Sequence, residues 1–139
     1  MKKAFLILLA ISCVLSITAC GKRENHSLVI KGDPEKIVVI TDDEGYQKEI
    51  CFTSKEEISG FMELYNKVEV GEMNDIMTTD SYNSISFFFS DGSSTTLSIN
   101  GSSLEKEVDG QLHYFELINL KPLWSYINHN GTVLADGEE

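Results

Sequence analysis

The sequence predicts an α+β fold: a two-layer domain in which an antiparallel sheet carries two helices on one face. Three observations predict it. Turn pairs at Asp91-Gly92, Asn100-Gly101 and Asp109-Gly110 recur nine residues apart between β-rich runs, the pattern of a four-stranded meander. Two segments, opening at Ser54 and Asn119, repeat apolar residues at helical spacing. Two further β-rich runs, "KIVVIT" and "YQKEICFT", come before the first helix. The expected order is β-β-α-β-β-β-β-α.

The first two runs flank "DDEG", a turn signal. With Asp43-Glu44-Gly45 as a three-residue loop, Val38 would face Ile50 and Ile40 would face Lys48. The first strand is apolar on both faces, so it is expected inside the sheet. Ser54 and Glu57 then form a capping box, and Ile58, Phe61, Met62, Tyr65 and Val68 make one helical stripe. Gly60 weakens that helix slightly. "GEMNDIMTTDS" reads as a polar loop.

Parity sets the register of the meander, because a slip of one residue turns every side chain to the other face. A two-residue turn at Asn100-Gly101 pairs Leu97 with Leu104, and one at Asp109-Gly110 pairs Leu104 with Phe115. At Asp91-Gly92 a two-residue turn would put Ile85 and Phe87 on the wrong side. A three-residue loop, Ser90-Asp91-Gly92 with left-handed glycine, pairs Ile85 with Leu97 and restores agreement. One face then carries Ile85, Phe87, Phe89, Leu97, Ile99, Leu104, Val108, Phe115 and Leu117. The other is mostly hydroxyls and carboxylates, with Phe88, Leu112 and Tyr114 among them. In the last helix Asn119 is the expected cap, Pro122 is tolerated in the first turn, and Leu120, Leu123, Trp124 and Ile127 form the apolar side.

The two ends of the chain differ in kind. Residues 1–19, "MKKAFLILLAISCVLSITA", have the layout of a secretory signal: Lys2 and Lys3, an apolar run, then small residues. The run is shorter than the ~20 residues a membrane-spanning helix needs. Residues 20–35 read as a tether, in which "SLVI" could instead add an edge strand; 36–128 form a single domain; 129–139 read as a flexible acidic tail. At Ile17-Thr18-Ala19-Cys20 the chain resembles the bacterial lipoprotein signal, or lipobox. That resemblance covers residues 1–21. It implies cleavage before Cys20, a diacylglyceryl group on its sulfur, and attachment to the outer face of the cell membrane. In size and layout the remainder resembles the small α+β lipoproteins of Gram-positive bacteria, a likeness that transfers no functional residue.

Composition bounds the partners. Eleven basic residues stand against 22 acidic ones, a net charge of −11; without Lys2 and Lys3 it is nine against 22, or −13. That balance argues against nucleic acid, which needs basic patches. It also gives no electrostatic hold on anionic lipid, so acyl chains must supply the membrane attachment. Cys13 leaves with the signal and Cys20 takes lipid, so Cys51 has no intramolecular disulfide partner. In "EICFT" it lacks a neighbouring cation and reads as an inert, partly buried thiol. A monomeric domain is expected.

No catalytic constellation appears, and no cofactor is expected. His26, His113 and His129 lack metal-ligand spacing, and His113 falls opposite Lys106 as a structural residue. There is no nucleophile elbow, no phosphate loop, and no calcium loop in "TDDEG" or "GEMNDIMTTD". The expected function is non-enzymatic: an accessory or binding module anchored at Cys20. Its candidate binding face comprises Phe88, Thr96, Glu105, Leu112 and Tyr114. The registers above place Phe88, Ser94, Glu107 and Leu112 in one cross-strand row and Ser86, Thr96, Glu105 and Tyr114 in the next. Aromatic rings around hydroxyls and carboxylates suit a protein, peptide or saccharide partner. The alternative is an inhibitor or immunity lipoprotein that neutralises a cationic toxin or secreted enzyme.

Overall fold

A computed structural model describes residues 28–43, 46–74 and 81–136. The expected secretory signal and lipobox, with Cys20, lie outside the described residues. The strands are β1 (Lys36–Asp43), β2 (Tyr46–Phe52), β3 (Glu69–Met73), β4 (Tyr82–Phe88), β5 (Ser94–Asn100), β6 (Ser103–Val108), β7 (Gln111–Ile118) and β8 (Thr132–Asp136). Helices α1 (Lys55–Tyr65) and α2 (Leu120–His129) follow β2 and β7. All eight strands join one antiparallel sheet in the order β3-β7-β6-β5-β4-β1-β2-β8. The α+β class stands, with sheet predominating.

Two strands exceed the expected order. The stripe expected to run through Val68 stops at Tyr65, where the backbone N–H of Asn66 caps onto Met62 and Leu64. Val68 is still buried, and the chain continues as β3, pairing Val70 with Leu117. The second extra strand, β8, lies where a flexible tail was expected. Its Thr132 and Val133 pair with Cys51 and Ile50 of β2. In both places a β-branched or apolar residue finds a sheet edge, and tertiary pairing overrides weak local propensity.

The first hairpin is one residue out from the expected register. Val39 pairs with Ile50, Val38 with Cys51 and Asp43 with Tyr46, leaving only Glu44 and Gly45 between the strands. The slip puts Ile37, Val39, Ile50 and Phe52 on one face, where all four are fully buried. Strand β1 does lie inside the sheet, between β2 and β4. The bulged loop at Ser90-Asp91-Gly92 is present, with Gly92 at φ +82° and Ile85 opposite Leu97. Between β5 and β6 the register is two residues from expectation, pairing Ile99 with Leu104, so parity survives.

One apolar cluster unites Ile37, Val39, Ile50, Phe52, Ile85, Phe87, Ile99, Leu104, Phe115 and Leu117 of the sheet with residues of both helices. Helix α1 contributes Ile58, Phe61 and Tyr65, and α2 contributes Leu120, Leu123 and Ile127. Of the expected sheet residues, Phe89, Leu97 and Val108 are only partly buried at its margin, and so is Trp124 of α2. The capping box of α1 forms as expected, Ser54 Oγ accepting from the Glu57 N–H and Glu57 accepting from the Ser54 N–H. Asn119 instead enters α2 in the left-handed region, φ +63°, and its side chain caps nothing.

Gly60 has a packing role that its low helix propensity hides. A Cβ there would lie 2.6 Å from the Tyr126 hydroxyl, which donates to the Glu57 carbonyl at 3.0 Å. Gly60→Ala should therefore destabilise the domain by about 1–2 kcal/mol, although alanine favours an isolated helix by about 1 kcal/mol. Urea denaturation of a cycle with Tyr126→Phe checks this. Equal losses in both backgrounds would assign the cost elsewhere.

Residues 28–35 are docked on the domain. Leu28 and Ile30 pack against the core cluster, and Tyr65 Oη donates to the Leu28 carbonyl at 2.7 Å. The Glu35 N–H donates to the Phe88 carbonyl. "SLVI" thus forms no strand among its described residues; its apolar side chains are drawn to the core instead. Burial pushes the Tyr65 hydroxyl well above the usual tyrosine range. The folded state favours the neutral phenol, so this contribution is complete below the unfolded pKa of about 10 and is lost as pH rises beyond it. Urea midpoints should be level from pH 7 to 9 and fall by pH 11, and Tyr65→Phe should flatten that fall. Replacing Tyr65 by Phe should also cost about 1–2 kcal/mol at pH 7, through the carbonyl left behind.

Candidate functional site

The pleat gives the sheet a second face, opposite the core cluster, and the ladder registers say which residues share it. On β4 they are Tyr82, Ser84, Ser86 and Phe88; on β5, Ser94, Thr96, Ser98 and Asn100. On β6 they are Ser103, Glu105 and Glu107, and on β7 Leu112, Tyr114 and Glu116. Val38, Ile40 and Asp42 of β1 continue the face, with Glu49 and Cys51 of β2 beyond them. All five residues of the candidate face, Phe88, Thr96, Glu105, Leu112 and Tyr114, are on it.

Their rows differ from the expected ones by one pair. Phe88 stands opposite Ser94, and Ser86 opposite Thr96 with their hydroxyl oxygens 2.9 Å apart. Glu105 and Tyr114 are a pair, but the strand next to them presents Ser98 and then Ser84, not Thr96 and Ser86. The shift follows from the β5–β6 turn, whose two residues are Gly101 and Ser102. Gly101 takes φ +59°, a conformation that costs glycine nothing. A turn at Gly101-Ser102 has the same parity as the expected one at Asn100-Gly101, so only the ladder distinguishes them.

The floor of the face is Ser84, Ser86, Thr96 and Ser98, four short side chains on adjacent strands. Around it stand Tyr82, Phe88 and Leu112, with 49, 39 and 52% of their surfaces exposed. Single exposed apolar residues are ordinary; three rimming one hydroxyl floor make a defined surface. Tyr82 is a member the sequence reading missed. The signal was present, since Tyr82 lies two and four residues from Ser84 and Ser86 and so shares their parity. Lys36 Nζ lies 5.6 Å from the centre of the Phe88 ring, a cation–π contact. Burial, the Glu105 carboxylate and Tyr82 hold the Tyr114 hydroxyl above the usual range. The aromatic and acidic groups at this end therefore sense one another.

Among the described residues, neither docked end lies over this floor. Residues 28–30 pack beside Tyr65 and the core, and β8 pairs with the outer edge of β2. Cys51 is buried and has no disulfide partner among the described residues. Val38, paired with it, is buried too. The β1–β2 side of the face is thus apolar at its base. Comparisons with protein-family models, with curated proteins and with solved structures find no match to this chain.

Proposed function

We propose that this chain is a lipid-anchored binding module, held at Cys20 on the outer side of the cell membrane, that presents the second face of its sheet to a partner. The observation that supports it is the exposed aromatic and aliphatic rim of Tyr82, Phe88 and Leu112 around a floor of short hydroxyl side chains. Such a surface offers apolar area and hydrogen bonds together, as binding surfaces do.

The reading includes a two-layer arrangement, with both helices on the core face. Helix α1 links β2 to β3, and α2 links β7 to β8, each pair running parallel within the sheet. Crossovers between parallel strands are almost always right-handed. Applied to two connections that run in opposite directions from oppositely pointing strands, that rule puts both helices on one side. Their shared apolar cluster and the Tyr126–Glu57 bond agree. The second face is then the layer surface away from the helices, exposed at Phe88, Ser94, Thr96 and Ser98 and buried at Val38, Cys51, Asn100 and Ser103. Apolar contact with a partner there would not compete with the core.

The test uses whole cells. Wild type should incorporate labelled palmitate and Cys20→Ala should not; label retained by the variant would remove the anchor from the proposal. A Phe88→Ser, Tyr114→Ser variant should keep its melting temperature within a few degrees yet lose surface-crosslinked partners. Partner recovery equal to wild type would move the site off this face.

A further inference from the structure

We infer that the partner of the second face is an extended protein segment bearing lysine or arginine, an inference that rests on the binding reading above and names its partner class. Three observations carry it. First, the face offers a track along β4. Tyr82 and Phe88 are six residues apart, roughly 20 Å in a strand, and Ser84 and Ser86 between them leave a track with no tall side chain. A segment of about six extended residues fits that length.

Second, charge is segregated between the two sides of the sheet. Parity sets Asp42, Glu49, Glu105, Glu107 and Glu116 on this face, against Lys36 alone among the described cations of its strands. Lys48 and Lys106 belong to the opposite parity. With the whole chain at −11, the potential over the floor is negative, and steers cations in while repelling anions. Anionic glycans and phosphates are disfavoured, and so is a second copy of this chain, whose own acidic face would have to meet this one.

Third, the rim is of the kind that holds cationic side chains. Lys36 already lies over Phe88, and Tyr114 stands opposite Glu105. A lysine or arginine stem can lie along such rings with its charge at the carboxylate. A neutral saccharide could donate its hydroxyls to the carboxylates but would gain nothing from their net charge.

The experiment is residue-resolved NMR of the full chain in zwitterionic detergent, titrated separately with octalysine, octaglutamate and a neutral N-acetylglucosamine hexamer. Octalysine should shift amides of Ser84, Ser86, Thr96 and Ser98, and its Kd should rise about tenfold or more between 50 and 300 mM salt. Glu105→Gln with Glu107→Gln should weaken it about fivefold, and Glu56→Gln with Glu63→Gln on α1 less than twofold. Equal weakening by both pairs, or shifts scattered over the surface, would reduce the effect to net charge and overturn the inference. Shifts on this face with the hexamer or octaglutamate but not octalysine would overturn the partner class and leave the binding reading standing. Silence from all three probes would end both.

Discussion

Gly131→Ala is expected to lower the stability of the domain by about 3 kcal/mol, a fall in Tm of roughly 10–15 °C. Two costs coincide there. Gly131 holds φ +84° between α2 and β8, a conformation that an L side chain rarely adopts. A Cβ would also lie 2.8 Å from Phe52 Cε1 and 2.9 Å from Ile50 Cγ2. Both neighbours are fully buried sheet residues, so neither can swing aside as an exposed side chain would. The relief open to the variant is to release β8 from β2. Thermal melts and amide hydrogen exchange distinguish the outcomes: accelerated exchange at Cys51 and Val133 should accompany the loss. A change of less than about 0.5 kcal/mol, the range of an ordinary surface substitution, would show that β8 is not closed onto β2 in this way.

Phe61→Ala should cost about 3–5 kcal/mol, the range for removing a buried aromatic side chain. Phe61 has no exposed surface and sits at the centre of a chain of rings. Its centroid is 5.2 Å from Phe52, 6.1 Å from Phe87 and 6.3 Å from Tyr65. The same substitution thus opens a cavity between helix and sheet and removes the edge-to-face contact with Phe87 along with the tilted and stacked contacts with Phe52 and Tyr65. Denaturant unfolding should show an earlier midpoint with little change in slope. The contrast with the second face is the useful measurement. Phe88, with 39% of its surface exposed, has an equally apolar side chain but should tolerate serine with far less loss. Comparable losses at Phe61 and Phe88 would mean that the second face is covered in the folded protein.

What could be read from the sequence was whatever parity or local bonding determines alone. The bulge at Gly92 was legible because only one loop length reconciles Ile85 and Phe87 with Leu97. The capping box was legible because Ser54 and Glu57 satisfy each other within four residues. The first hairpin was not, because β1 is apolar at Ile37, Val38, Val39 and Ile40, so its pattern accepts either register. The edge strands β3 and β8 were hidden for a different reason. Each is short, five residues, and each carries an irregular step in its ladder, so neither displays alternation of its own. They are strands because of the neighbours they meet. In the candidate face, membership followed from parity and was read correctly apart from Tyr82. The rows depended on the β5–β6 turn, where two loop placements share one parity.

The strand order has a further consequence. Read from either edge, the sheet spells the same unit: an edge strand, then a hairpin, then one central strand. A half-turn about an axis between β4 and β5 exchanges β1 with β6, β2 with β7 and β3 with β8, and α1 with α2. The spacing agrees, since α1 opens at Lys55 and α2 at Leu120, 65 positions on. The same step carries Gly45 to Gly110, Ile50 to Phe115, Phe52 to Leu117 and Ile58 to Leu123. The correspondence is one of spacing and burial rather than of residue identity. The chain is therefore organised as a dimer of two hairpin–helix–strand halves joined into one polypeptide, and the seam between them runs down the serine and threonine floor of the second face.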